Sequence, residues 1–184
     1  MTYSVKEIFY TLQGEGGNAG RAAVFCRFSG CNLWSGLEKH RSDAICKFCD
    51  TDFVGTDGIN GGKYTTSNDL SNKIESTWSG QESRLVVFTG GEPGLQIKEE
   101  LVAELQARNF EVAIETNGTV SIPENIDWVC VSPKASTKLL VTKGDELKLV
   151  FPQEGVNPNN FIELDFTHFF LQPLDDANLT RNSR

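Results

Sequence analysis

Short apolar runs rich in β-branched and aromatic residues recur along the chain. They are AAVFCRFS (22–29), RLVVFT (84–89), EVAIET (111–116), WVCVS (128–132), ELKLVF (146–151) and FFLQP (169–173). Most are continuous rather than alternating, which is the pattern of strands covered on both faces. Two segments carry helical spacing instead. In IKEELVAELQARNF (97–110), Ile97, Leu101 and Leu105 share a face, with Lys98, Glu99 and Arg108 outside it. In SNDLSNKIESTW (67–78), Leu70, Ile74 and Trp78 form a second stripe, and Ser67 is the expected N-cap. Strand and helix thus alternate from about residue 67 onward, which predicts βαβ units and a mainly parallel sheet, open or barrel-like. The Gly-, Asp- and Thr-rich stretch GTDGINGGKYTT (55–66) reads as loop. No repeat, low-complexity tract or linker divides the chain, so a single α/β domain over residues 1–184 is expected.

Composition narrows the partners. At 184 residues and 39% apolar content, the chain can build one core without disulfides. The opening MTYSVKEIFYTLQGEG has no basic and long apolar signal pattern, and no apolar run approaches the roughly 18 residues that would span a bilayer. A cytoplasmic location with no membrane partner is the expectation. There, clustered cysteines more often bind metal or do chemistry than form disulfides. The net charge of −8, from 17 Lys and Arg against 25 Asp and Glu, argues against nucleic acid as a partner. It leaves room for an anionic small molecule, because a few buried cations can make a locally positive pocket.

Five cysteines divide into two kinds. Cys26 and Cys130 lie inside the apolar runs VFCRF and WVCVS and read as small buried hydrophobes. Cys31, Cys46 and Cys49 lie in a polar stretch with C-x14-C-x2-C spacing. A structural zinc site takes four protein ligands, and His40 could supply the fourth. Ordinary iron–sulfur carriers also use four cysteines, so three would leave one iron of a cubane open to a substrate or cofactor. Spacing alone leaves zinc and such a cluster equally open.

Three strand-terminal stretches add weight. FTGGEP (88–93) follows an apolar strand, ETNG (115–118) ends the next one, and SPK (132–134) ends the one after. Polar groups and glycines at the C-terminal ends of parallel strands are where α/β sheets build their sites.

The spacing C-x14-C-x2-C followed by TGGEP, ETNG, SPK and LQP (171–173) resembles the radical S-adenosylmethionine superfamily. With the opening EIFYTLQGEGGNAGRAAVFCRFSGCNLW (7–34), it is similar to the 7-carboxy-7-deazaguanine synthase family from about Ser4 to Asp175. The resemblance implies a modified, partial (β/α) barrel and a homodimer. It implies a 4Fe–4S cluster held by Cys31, Cys46 and Cys49, with S-adenosylmethionine chelating the fourth iron and an electron donor such as flavodoxin. The implied reaction belongs to queuosine biosynthesis: a 5′-deoxyadenosyl radical takes hydrogen from C6 of 6-carboxy-5,6,7,8-tetrahydropterin. The ring contracts with loss of ammonia, and S-adenosylmethionine is regenerated. No side chain is catalytic in itself. Phe48, Glu92, Ser132, Pro133, Lys134, Gln172 and Pro173 are the implied cofactor contacts, and Thr51 the implied magnesium ligand. Leu12, Gln13, Gly14, Glu15, Arg27 and Thr89 are the implied substrate contacts, with Arg27 suited to the pterin carboxylate.

Two departures accompany the resemblance. Gly94 replaces a larger apolar residue, so looser packing is expected there. The chain also stops at LDDANLTRNSR, where relatives continue through another helix and a strand ending near Thr-His-Lys, so the C-terminal part of the family fold is expected to be missing. Three other readings stay open at this point. A glycyl-radical activating enzyme would usually show compact C-x3-C spacing and lack the FYTLQGEG and CRFSGCNLW context. A zinc-stabilised binding module would be colourless and hold one zinc. A family member inactivated by the short C-terminus would keep the motifs without turnover.

Overall fold

The computed structural model describes residues 2–174; the stretch after Leu174, which includes most of LDDANLTRNSR, lies outside the described residues. Among these residues eight strands form one open sheet. They are β1 (Tyr3–Leu12), β2 (Ala22–Phe28), β3 (Gly62–Tyr64), β4 (Leu85–Gly90), β5 (Glu111–Thr116), β6 (Trp128–Val131), β7 (Lys143–Phe151) and β8 (Asp165–Pro173). Their order is β3-β1-β2-β4-β5-β6-β7-β8. From β2 to β8 every pairing is parallel, and only β1 runs antiparallel to its neighbours β2 and β3. This is a partial barrel of mainly parallel strands.

Strand pleating sorts the two faces. Val24, Cys26 and Phe28 on β2, Val86 and Phe88 on β4, and Val112 and Ile114 on β5 point to one side. There they meet Leu70 and Ile74 of helix α1 (Ser67–Thr77) and Leu101, Val102 and Leu105 of helix α2 (Glu99–Gln106). The alternate positions Ala23, Leu85, Val87 and Ala113 point inward, with Phe25 and Trp128 packed against them. Both faces of these strands are apolar at their base, which explains the continuous runs in the sequence.

The expected strand–helix alternation holds only as far as β5. The β6–β7 and β7–β8 connections contain no α-helix. Leu139, Val141, Val156, Phe161 and Leu164 from those loops cover Val131, Leu147, Leu149 and Phe166 instead. β1 and β3 were not evident in the sequence. β1 carries a register shift between Val5 and Glu7, which breaks its period of two. β3 lies within the stretch read as loop and is three residues long.

Helix α1 is capped by Thr66 and not by Ser67. The Thr66 hydroxyl accepts from Asp69 N at 3.0 Å, and the Asp69 carboxylate accepts from Thr66 N at 3.1 Å, a reciprocal capping box. Thr66→Ala is expected to cost about 1 kcal/mol, read as a lower urea midpoint with unchanged slope.

Candidate active site on the concave face

The C-terminal ends of β2, β4, β5 and β6 bring the sequence motifs together. Gly90 of TGGEP has φ +112, and a side chain on Gly91 would run into the backbone of Gly30. Only glycine lets this turn lie against the residue before Cys31. Gly91 N donates to Phe28 O at 3.1 Å and Glu92 N to Gly30 O at 2.9 Å, which locks the two turns together. The expected looseness at Gly94 is overturned: a Cβ there would stand 2.6 Å from Val120 Cγ2. Glycine here answers close packing.

Below this edge a cavity of about 590 Å³ runs across the concave face. Cys31, Cys46 and Cys49 lie on one wall with Phe48 and Thr51. Cys31 and Cys49 are partly exposed and Cys46 is buried. Burial pushes the Cys31 thiol up. The Cys46 thiol donates to Cys49, which pushes Cys46 up and holds Cys49 well below the ordinary thiol value. Among the described residues no three His, Cys, Asp or Glu side chains gather as ligands of a single metal ion. The Nδ1 of His40 is bonded to Ser35 at 2.8 Å. Cys31, Cys46 and Cys49 all line the cavity, and among the described residues no histidine does.

The remaining implied residues are distributed around the same space. Ser132, Lys134, Gln172 and Pro173 line it. Lys134 Nζ donates to Ser132 O and Oγ, both at 2.7 Å, and stands 5.9 Å from the Phe48 ring; burial lowers its pKa. Leu12, Gln13, Gly14, Glu15, Arg27 and Thr89 line the cavity too, with Arg27 and Thr89 opposite one another in the β2–β4 register. Arg27 is on the second strand. Its Nε donates to Glu7 at 2.8 Å, and among the described residues neither Nη group has a hydrogen-bond partner. Thr51 Oγ1 donates weakly to Asp50 at 3.4 Å.

Glu92 and Pro133 do not line the cavity. The Pro133 carbonyl accepts from Gln153 at 3.2 Å. Glu92 is fully buried behind the wall, where its Oε1 accepts from Gly94 N and the Thr116 hydroxyl and its Oε2 from Asn117 N. Burial raises its pKa.

A buried charge cluster was missed in the sequence. Lys148 on β7 is 5% exposed, with its Nζ 2.8 Å from Glu15 and 3.4 Å from Glu115. Gln13 donates to Glu115 at 2.8 Å, and Gln172 to Glu15 at 3.4 Å. Glu146, two residues before Lys148 on the same face, accepts from Gly17 N at 2.7 Å. The signal was present in ELKLVF: Glu146 and Lys148 alternate with Leu147 and Leu149, a charged face inside a run grouped with the apolar strands. Cys130 belongs beside this cluster. It pairs in register with Glu115 and Glu146, unlike Cys26 in the outer core.

No family model matches the chain. It is 60% identical to the 7-carboxy-7-deazaguanine synthase of Caulobacter vibrioides, over 100% of this chain and 88% of that protein. It is 57% identical to the protein of the same name from Burkholderia multivorans, with the same coverage. Among solved structures, QueE from Escherichia coli superposes with TM-score 0.72 at 28% identity, over 98% of this chain and 87% of that one.

The carboxylates of Glu15 and Glu115 depend on Lys148 for neutralisation. Lys148→Met is expected to cost about 2–3 kcal/mol in urea unfolding, less than for a wholly enclosed pair because Glu15 stays half exposed. The neighbouring carboxylates raise the lysine's folded pKa above its ordinary 10.5. Its contribution is therefore complete below that value and fades only above it, so the difference between the two proteins should be constant across neutral pH.

Proposed function

The chain belongs to the 7-carboxy-7-deazaguanine synthase family, and we infer that its concave cavity converts 6-carboxy-5,6,7,8-tetrahydropterin to 7-carboxy-7-deazaguanine. The reaction is the carbon–nitrogen lyase step of queuosine biosynthesis, with loss of ammonia. One observation supports this reading: three thiols and an arginine bonded only through its Nε among the described residues line the same cavity.

Cys31, Cys46 and Cys49 would hold a 4Fe–4S cluster, with Phe48, Ser132, Lys134, Gln172 and Pro173 around bound S-adenosylmethionine. Together those two groups supply, when bound, a one-electron cleavage that yields the hydrogen-abstracting radical. The chain's own residues do the rest. Arg27 offers two Nη groups to the pterin carboxylate in a planar fork. Thr89 and the carboxylates of Glu15 and Glu115 present one acceptor-rich side to the ring's N–H groups, and Lys148 and Gln13 hold those carboxylates in place. The stacked pair Phe9 and Phe25, with ring centroids 5.7 Å apart, lines the same face and limits water beneath the substrate. Glu92 supports the cofactor wall from behind, and Thr51 offers a hydroxyl to a magnesium ion held mainly by substrate oxygens and water. A homodimer fed by a donor such as flavodoxin completes the proposal.

Anaerobic reconstitution with iron and sulfide should load about four irons per chain. Cys31→Ala, Cys46→Ala and Cys49→Ala should each lose the brown chromophore, and Cys26→Ala should keep it. Stoichiometric zinc without iron uptake would overturn the cluster.

Conversion of the pterin by reduced protein tests the substrate site. Arg27→Ala is expected to raise KM about 100-fold, as loss of a carboxylate-binding arginine does. Cleavage of S-adenosylmethionine in the absence of substrate should persist. Equal KM values in the two proteins would remove Arg27 from the site.

A further inference from the structure

The hairpin from Cys46 to Cys49 lies in no strand or helix. On one side its backbone is tied to Leu33, whose carbonyl accepts from Ile45 N and Cys46 N at 3.1 and 3.4 Å. On the other side a guanidinium holds it. Arg41 Nη1 donates to the carbonyls of Lys47 at 2.8 Å and Cys49 at 3.0 Å. Its Nε donates to Glu38 at 2.8 Å, and its Nη2 meets the same carboxylate. Its Cζ stands 4.0 Å from the centroid of the Trp34 ring, which is wedged edge-on against Phe53.

Arg41 is carried on a 3-10 turn, Glu38–Asp43, inside the insert between Cys31 and Cys46. It thus joins Trp34, three residues after Cys31, to the hairpin that bears the other two thiols. We propose that Arg41 is a positioning residue that presets the Cys46–Cys49 hairpin for its cluster, acting through the hairpin carbonyls without touching the sulfur atoms. The inference rests on the cluster reading above. A planar fork of five donors can span two carbonyls, a carboxylate and a ring face at once, whereas a lysine ammonium is a point charge. Groups that orient metal ligands from behind commonly change metal retention by about 10–100-fold when removed.

Arg41→Gln and Arg41→Lys are compared with wild type in two measurements. The first is the rate at which an iron chelator strips the reconstituted protein. The second is hydrogen exchange of the metal-free protein over residues 45–50. Both variants should release iron about tenfold faster, with faster exchange confined to that segment. Iron release and exchange equal to wild type in Arg41→Gln would overturn the proposal. Full rescue by Arg41→Lys would also overturn it, because charge alone would then suffice. Faster exchange throughout the sheet would overturn it as well, by assigning Arg41 to global stability. If wild type takes up no iron, the cluster reading falls, while the exchange measurement still decides whether Arg41 braces the hairpin.

Discussion

The arrangement of the site depends on one buried carboxylate. Glu92 is fully buried, and an ionised carboxylate in that position must find donors within the protein. It takes them from Gly94 N, the Thr116 hydroxyl and Asn117 N, while its own N–H reaches Gly30 O. The ends of β2, β4 and β5 are thereby fixed to one another. Asn117 extends the tie, donating to Asn32 at 3.0 Å, and Asn32 reaches Thr119 at 2.7 Å. The residue next to Cys31 is thus braced by the same network. The glycines of TGGEP are required because these turns approach within backbone contact.

Around that node the two faces of the sheet differ in kind. The helix-bearing face is an ordinary apolar core, with Val24, Phe28, Val86, Phe88 and Ile114 fully buried. The concave face is apolar only at its base and charged above it. There Lys148 lies among carboxylates from two other segments, Glu15 and Glu115. Such an arrangement stabilises little by itself, because desolvating the ions offsets much of their attraction. What it supplies is fixed position for acceptors that would otherwise be mobile side chains at a cavity wall.

How far the sequence foretold this follows from which signals are local. The runs at 22–29, 84–89, 111–116 and 128–132 became strands at nearly those bounds, because each is apolar on both faces for a reason internal to the strand. β1 was hidden by its bulge: Val5 and Ile8 share a face although they are three apart. The missing helices after β5 were invisible because loops rich in Leu, Val and Phe cover the outer face as well as a helix would. At the site, types and spacing singled out the three cysteines with Thr89, Gly90 and Gly91, and these line one cavity. Lys148 and Arg41 could not be assigned, since each acts on groups far away in sequence or on backbone carbonyls. Glu92 was identified by its motif, but its position behind the wall reflects the hydroxyl and amides of Thr116 and Asn117.

The strand order has a consequence for how the chain acquires its cavity. From β2 onward each new parallel strand joins the free edge left by the one before it. A chain made from its N-terminus can therefore extend the sheet one strand at a time, with no earlier pair opened to admit a later one. The three thiols are synthesised early, beside β1 and β2, whereas Lys148 and Gln172 arrive on the last two strands. Until β7 is made, Glu15 and Glu115 lack the lysine that neutralises them. Folding of β7 and β8 therefore follows synthesis of the cysteine loop, and it is this later step that brings a cation and an amide to Glu15.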